Sequence, residues 1–435
     1  MAIVSVLISL LLLVVLTARW HVNPFIAFLV CSIVAGILLG VPLQQIPVSL
    51  EKGMGGVLGS LAVIICVSAM FGKLIADSGA AQKISDVLIA ACGQKYITWA
   101  LMVTGFIVGI PLFYNVGFVL LVPLVFSVAY QTKLPAVYLG IPLLAALSVT
   151  HGFLPPHPSP TALVPQFGAN MGLTLIYGFI VAVPTMIIAG PIFSRWLRTI
   201  SSTPIATFTP NTLPQDQLPS AWASFTVALL PVLLLALATL LPVIAGAQSS
   251  WVLFVGNPMI VLLIALGVAT YISGIARGHT LKSLMNSYSA AVKDIALILL
   301  IIAGAGALKQ IFVDSGVSEQ IAAGLKHIPV NPLLLGWLIA LIIRVCLGSA
   351  TVAGLTAAGI IAPLVLSTPS INPNLMVLAI GAGSLMCSHV NDSGFWMYKE
   401  YFNLSLKDTF KSWTVMETIV GVVGIIGVLL LDLFV

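Results

Sequence analysis

Apolar runs recur along the chain from Met1 to Val435, separated by short polar connections. A helix needs about 20 predominantly apolar residues to cross a bilayer, and run after run reaches that length, so the pattern predicts an all-α polytopic membrane protein with about 11–14 transmembrane segments. Four runs are interrupted internally. Gly109 to Gly117, with Pro111 and Asn115, lies inside the apolar stretch Ile97–Ala129. Gly348 to Gly354, containing Ser349 and Thr351, sits between two apolar arms. Thr150 to Thr161 holds His151, His157, Ser159 and the prolines Pro155, Pro156, Pro158 and Pro160, and Ser388 to Gly394 holds His389, Asn391 and Asp392. Proline and glycine break helices. Non-helical chain at membrane depth survives only where protein buries it or where it lines a wet cavity. The breaks therefore point to a pathway. For Gly348–Gly354 the alternative is close packing of helices through small residues, and for the two His-containing stretches it is an extramembrane loop.

The second half echoes the first. Asn23-Pro24 and Asn257-Pro258 each open an apolar run (257 − 23 = 234), Asp77-Ser78-Gly79 matches Asp314-Ser315-Gly316 (314 − 77 = 237), and His151 matches His389 (389 − 151 = 238). Such a near-constant spacing predicts a duplication, with residues 1–200 as one repeat, 221–435 as the other, and the Pro-, Ser- and Thr-rich stretch 201–220 as a cytoplasmic linker. Arg19 and His21 follow the first run, and Arg195 and Arg198 precede the linker. Lys and Arg mark cytoplasmic connections. Met1 then lies outside, the first half crosses an odd number of times, and its copy inserts upside down, as in transporters with inverted-topology repeats built from broken helices and re-entrant hairpins. The uncharged loop Gly246–Trp251 is expected outside, and the loop with Arg277, His279 and Lys282 inside. The run Met1–Thr17 lacks the leading positive charge of a signal peptide and reads as a retained first helix.

Composition agrees with this picture and narrows it. The chain is 60% hydrophobic and 7% charged, with a mean hydropathy of +1.16, against about 25% charged residues in soluble domains. Its 17 Lys and Arg give a net charge of +5 but are scattered singly, which argues against nucleic acid as a partner. Cys31, Cys66, Cys92, Cys346 and Cys387 show no ligand or pairing spacing and read as core residues; no metal or cofactor is expected.

Ionisable groups inside apolar runs are the sharpest functional signals in a membrane protein. Arg344 precedes the Gly348-Ser349 break by one turn and is placed either to pair a substrate carboxylate or to pair Asp392 or Glu417. Glu417 lies in the last apolar run, either as a proton carrier or as a carboxylate snorkelling to the interface. Asp77 and Asp314 read as helix-end turn residues, and Lys399, Glu400, Lys407, Asp408 and Lys411 as a polar connection facing water.

The segments THGFLPPHPSPTA, GSATVA, SHVNDSGFW and VDSG together resemble the gluconate permease family of proton symporters, over nearly the whole chain. The resemblance implies a multi-pass carrier of the bacterial inner membrane, without enzymatic activity, that imports gluconate, idonate or a related sugar acid with protons. A D-serine-carrying branch is the alternative within the family; a passive anion channel and a membrane enzyme are the alternatives outside it. The family pattern has an acidic residue where this chain has Asn115, an amide that cannot titrate. The expected substrate site comprises Asn115, His151, His157, Ser159, Thr161, Arg344, Ser349, Thr351, His389 and Asn391, with Asp392 and Glu417 as proton-coupling candidates. A homodimer is expected from related architectures alone.

Overall fold

A computed structural model describes the chain except residues 1, 111–113, 156, 203–212, 246–249, 256, 318–329 and 369. Pro111, Pro156, most of the linker, most of the 246–251 loop and the end of the second Asp-Ser-Gly segment lie outside the described residues. Every regular element described is helical. In chain order these are α1 (Ala2–Val14), α2 (Pro24–Leu38), α3 (Gln45–Asp77), α4 (Ala80–Gly109, kinked at Gly93), α5 (Tyr114–Thr132), α6 (Ala136–Phe153), α7 (Pro158–Phe167), α8 (Met171–Ile187), α9 (Ala221–Ala245), α10 (Ser250–Val255), α11 (Pro258–Ala269), α12 (Leu281–Asp314), α13 (Pro332–Leu347), α14 (Ala350–Ser367), α15 (Pro373–Leu385), α16 (Ser393–Tyr401) and α17 (Leu406–Leu431). Among the described residues seven helices are long and apolar enough to cross a membrane, and six more are apolar but shorter. This is fewer full-length helices than the 11–14 crossings expected, because several apolar runs are divided between two short helices at their breaks.

Helix starts follow from local chemistry. At Asn23, Asn257, Asn331 and Asn372 the side-chain oxygen accepts a backbone N–H two residues on, at 2.9, 2.9, 2.8 and 3.0 Å. Proline follows each of these asparagines, where its missing N–H costs nothing. The repeated Asn-Pro pair is thus a repeated N-cap.

Two helices form the inner core. In α6 every residue but His151 is buried, and in α15 every residue after Pro373. Helices apolar on all sides belong in the interior of a bundle. α3 and α12 pack antiparallel, and their ends are clasped reciprocally: Ser49 Oγ donates to Asp314 at 2.7 Å, and Ser287 Oγ donates to Asp77 at 2.8 Å. Lys73 pairs with Asp77 at 2.9 Å, and Gln310 donates to Asp314 at 2.7 Å. Both aspartates end their helices, and the glycines two residues on take φ of +76° and +63°. The charges expected on a polar connection fall on helices instead: Lys407 and Lys411 are exposed in the first turns of α17, whereas Lys399 and Glu400 at the end of α16 pair at 2.8 Å and are partly buried.

Small residues let α3 and α12 touch. A Cβ on Gly53 would lie 2.4 Å from the Gly306 carbonyl oxygen and 2.9 Å from the Ala307 Cα, whereas one on Gly56 would meet nothing within 4 Å. Gly53→Ala should therefore destabilise the protein by about 1–3 kcal/mol, seen as a lower Tm in detergent, with Gly56→Ala as the unaffected control.

A second tight approach fixes the α13–α14 break. Gly348 has φ +71°, and a Cβ there would sit 2.1 Å from the Asn391 carbonyl oxygen. Gly348→Ala should displace the 388–394 segment, and limited proteolysis of the purified variant should show new cleavage there.

Candidate functional site

Helix ends inside the bundle leave carbonyl groups that need donors. At the end of α4, His157 Nε2 lies 2.8 Å from the Gly109 carbonyl oxygen; a carbonyl can only accept, so the imidazole donates. At the end of α13 the same task falls to Asn391, whose Nδ2 donates to Val345 and Cys346 at 2.7 and 3.1 Å, and to His389, whose Nε2 lies 3.1 Å from the Val345 oxygen. In both halves the stretch after the buried core helix caps the preceding helix end. Ser349 in turn caps α14, accepting from the Val352 N–H at 3.5 Å.

These breaks border a cavity of about 260 Å³. Of the residues expected from sequence, Asn115, His151, Arg344, Ser349, Thr351, Asn391, Asp392 and Glu417 line it together. His157, Ser159, Thr161 and His389 lie outside the lining: the two imidazoles hold helix-end carbonyls, and Ser159 packs against α14, its Oγ 2.6 Å from where a Cβ on Gly354 would be.

Charge is concentrated on one wall. Arg344 is 4% exposed, and its Nη2 meets Asp392 Oδ2 at 2.5 Å. Asp392 also accepts from Ser388 Oγ and, at 3.0 Å, from the Gly394 N–H, which it caps. Trp413 Nε1 donates to Ser388 Oγ at 2.7 Å and holds that hydroxyl in place. Glu417, 2% exposed, accepts from Ser148 Oγ at 2.7 Å across the core helix α6. Glu417 therefore does not snorkel; it faces inward.

Several buried polar atoms of the lining residues have no partner among the described residues: Nε and Nη1 of Arg344, Oδ1 of Asn391, the Tyr114 hydroxyl and Nδ1 of His151. An unsatisfied buried donor or acceptor costs about 1–3 kcal/mol, so such a concentration marks a place where a polar guest or water completes the bonding. The orphans include donors, acceptors and a hydroxyl.

Sequence reading passed over Lys309, Ser60, Tyr114, Ser148 and Trp413, which also line the cavity. Ser148, Ser60 and Trp413 occur in apolar runs with no local signal. Lys309 carried one: at the repeat spacing it stands where the first half has Gly72 (309 − 72 = 237).

Comparison with known proteins agrees along the entire chain. Residues 1–434 match the GntP family permease. The chain is 45% identical to a high-affinity gluconate transporter of Escherichia coli (strain K12) over 437 residues, covering 100% of both. It is 44% identical to the Gnt-II system L-idonate transporter of the same organism over 425 residues, 97% of each. A gluconate permease of Bacillus subtilis (strain 168) is 44% identical over 449 residues, again 100% of both. With its apolar helices and this full-length similarity, the chain is a multi-pass membrane protein and belongs to the GntP family of permeases.

Proposed function

We propose that the protein is a secondary carrier of the bacterial inner membrane that imports gluconate or a closely related sugar-acid anion together with a proton. The observation that carries this reading is a buried cavity whose lining residues include two guanidinium nitrogens, an amide oxygen, a tyrosine hydroxyl and an imidazole nitrogen with no partner among the described residues. A sugar acid supplies the matching set, one carboxylate and a row of hydroxyls. Arg344 Nε and Nη1 suit the carboxylate, and Asn115, Ser349, Thr351, Asn391 and the Tyr114 hydroxyl suit the polyol. His151 lies at the same wall, while His157, His389, Ser159 and Thr161 support the helix breaks from behind. The relatives named for gluconate and L-idonate transport favour this substrate class.

Charge counting ties the anion to a proton. With His151 and Tyr114 counted as neutral, the lining sets Arg344 and Lys309 against Asp392 and Glu417, which balance when all four are charged. Adding one carboxylate leaves an uncompensated negative charge in a low-dielectric site, which is costly. One proton removes it. Asp392 is engaged by Arg344, Ser388 and Gly394, so Glu417, held by a single serine, is the group free to take that proton. This assigns to Glu417 the coupling role that Asn115 cannot perform. One proton with one monovalent anion moves no net charge, so the pH gradient alone drives uptake at about 1.4 kcal/mol per pH unit.

The antiparallel clasp of α3 and α12 supports inverted repeats. These helices correspond by sequence spacing, and the pairs Ser49–Asp314 and Ser287–Asp77 interchange under it (287 − 49 = 238, 314 − 77 = 237). Equivalent membrane-long helices running in opposite directions are what an inverted duplication produces. One end of the bundle gathers cations: Arg277 donates to the Ser78 carbonyl at 2.6 Å and to that of Gln217, Gln131 donates to the Gln82 carbonyl at 2.8 Å with Lys133 close by in sequence, and Lys282 opens α12. That end is assigned to the cytoplasm, with the linker on it. The pairs α4–α5 and α13–α14 act as hairpins, with Tyr114 and Asn115 at the start of α5 and Gly348 to Thr351 at the α13–α14 break lining the cavity. Transport then proceeds by movement of the broken-helix bundle against the α3–α12 pair, within a homodimer.

Reconstituted protein should accelerate exchange of labelled gluconate against internal gluconate or idonate, and much less against D-serine; a flux that internal substrate does not accelerate would indicate a pore. Glu417→Gln should keep this exchange yet lose the roughly tenfold accumulation that a one-unit inward pH gradient sustains in wild type; retained accumulation would remove Glu417 from the proton path. Arg344→Ala should abolish gluconate exchange in protein that still elutes as a single folded species, and wild-type affinity in that variant would exclude its role at the carboxylate.

A further inference from the structure

Lys309 is placed unlike any other charge in the chain. It lies on α12 five residues before the clasped Asp314, roughly 8 Å along the axis, is half-buried, and faces the cavity that Arg344, Asp392 and Glu417 line from the other side. Of the two cations in the lining, Arg344 already has its counter-ion at 2.5 Å. Lys309 has no hydrogen-bond or ion-pair partner among the described residues. Its counterpart at the repeat spacing, Gly72, lines a separate cavity of about 220 Å³ whose walls are apolar, with Ile75, Leu120, Leu124 and Phe225 among them. The corresponding position on α3 is thus a buried glycine with mainly apolar neighbours, whereas its α12 copy brings a charge to a polar cavity.

We infer that Lys309 is a second cationic ligand for the substrate carboxylate, supplied by α12 across the cavity from Arg344, and that it carries the charge which makes proton and anion bind together. This rests on the sugar-acid reading above. With Glu417 protonated, Arg344 and Asp392 cancel and Lys309 leaves the cavity at +1, ready for a monoanion. With Glu417 ionised, Lys309 is compensated and the anion has no unpaired cation to meet. A carboxylate held by Lys309 and Arg344 also ties α12 to the elements bearing the Arg344–Asp392 pair, adding a link at the cavity to the direct packing of α12 on α16.

The test uses full-length protein in proteoliposomes, with gluconate exchange competed by gluconate, by neutral gluconamide and by neutral glucitol. Lys309→Met should raise the KM for gluconate at least tenfold while leaving competition by the two neutral polyols within twofold of wild type, and Lys309→Arg should restore most of the gluconate affinity. An unchanged gluconate KM in Lys309→Met would overturn the proposal and show a lysine merely reaching toward the interface. Equal weakening of gluconate and neutral competitors would overturn it as well, since that is the mark of a distorted site. A wild type that exchanges no sugar acid would overturn the transport reading and this inference together, whereas failure confined to the lysine variants leaves transport standing.

Discussion

Breaking a helix inside a bilayer strands backbone carbonyls where no lipid can serve them, and the rest of this architecture follows from how those carbonyls are satisfied. Gly109, Val345 and Cys346 end their helices within the protein, and each receives a donor from a stretch that is itself broken. The capping stretches must then be held rigidly, which is why they emerge from α6 and α15, the two helices buried on every side. Rigid core helices position caps, caps stabilise breaks, and breaks leave room for a polar cavity. Removing any one of these would leave the next without support.

The Arg344–Asp392 pair shows the same logic in charged form. A buried ion pair contributes little net stability once desolvation is counted, so its presence is better explained by what it leaves unfinished. Asp392 is fully engaged, bonded to Arg344, Ser388 and Gly394. Arg344 retains two nitrogens with no acceptor. The pair thus fixes the guanidinium at the cavity wall while leaving two of its nitrogens without a partner among the described residues, the bonding capacity that the proposed anion would use.

Much of this was legible in the sequence, for identifiable reasons. Asn-Pro pairs, Asp-Ser-Gly turns and intramembrane charges are local signals whose physics does not depend on the fold, and they gave several helix ends and, with the polar breaks, eight of the residues that line the cavity. What pattern alone did not give was the division of labour among the polar residues. His157 and His389 read as ligands because an imidazole in an apolar run demands an explanation, yet each is engaged by a backbone carbonyl that became an orphan only through tertiary structure. Ser148 was invisible for the opposite reason: a serine in a helix usually bonds its own backbone, and nothing local shows that it faces Glu417 on a helix 269 residues away. Which apolar runs are single long helices was not legible either: among the described residues seven are, and six more apolar helices are shorter.

Symmetry and its violation together describe how such a site arises. On the inverted duplication proposed above, each copy carries a long helix, a capped break and a buried core helix, and the reciprocal Ser–Asp clasps join the two long helices. A perfectly symmetric pair, however, would hold equal charge in both halves and offer an asymmetric substrate two indifferent orientations. Arg344, Asp392, Glu417 and Lys309 all belong to the second half, while the first contributes Asn115, His151, Ser148 and the Tyr114 hydroxyl. The second half therefore supplies these four ions together with Ser349, Thr351 and Asn391, and the first adds groups counted as neutral. A molecule with a carboxylate at one end and hydroxyls along the rest matches that division in a single orientation, so the departure of the two copies from each other is what gives the cavity its direction.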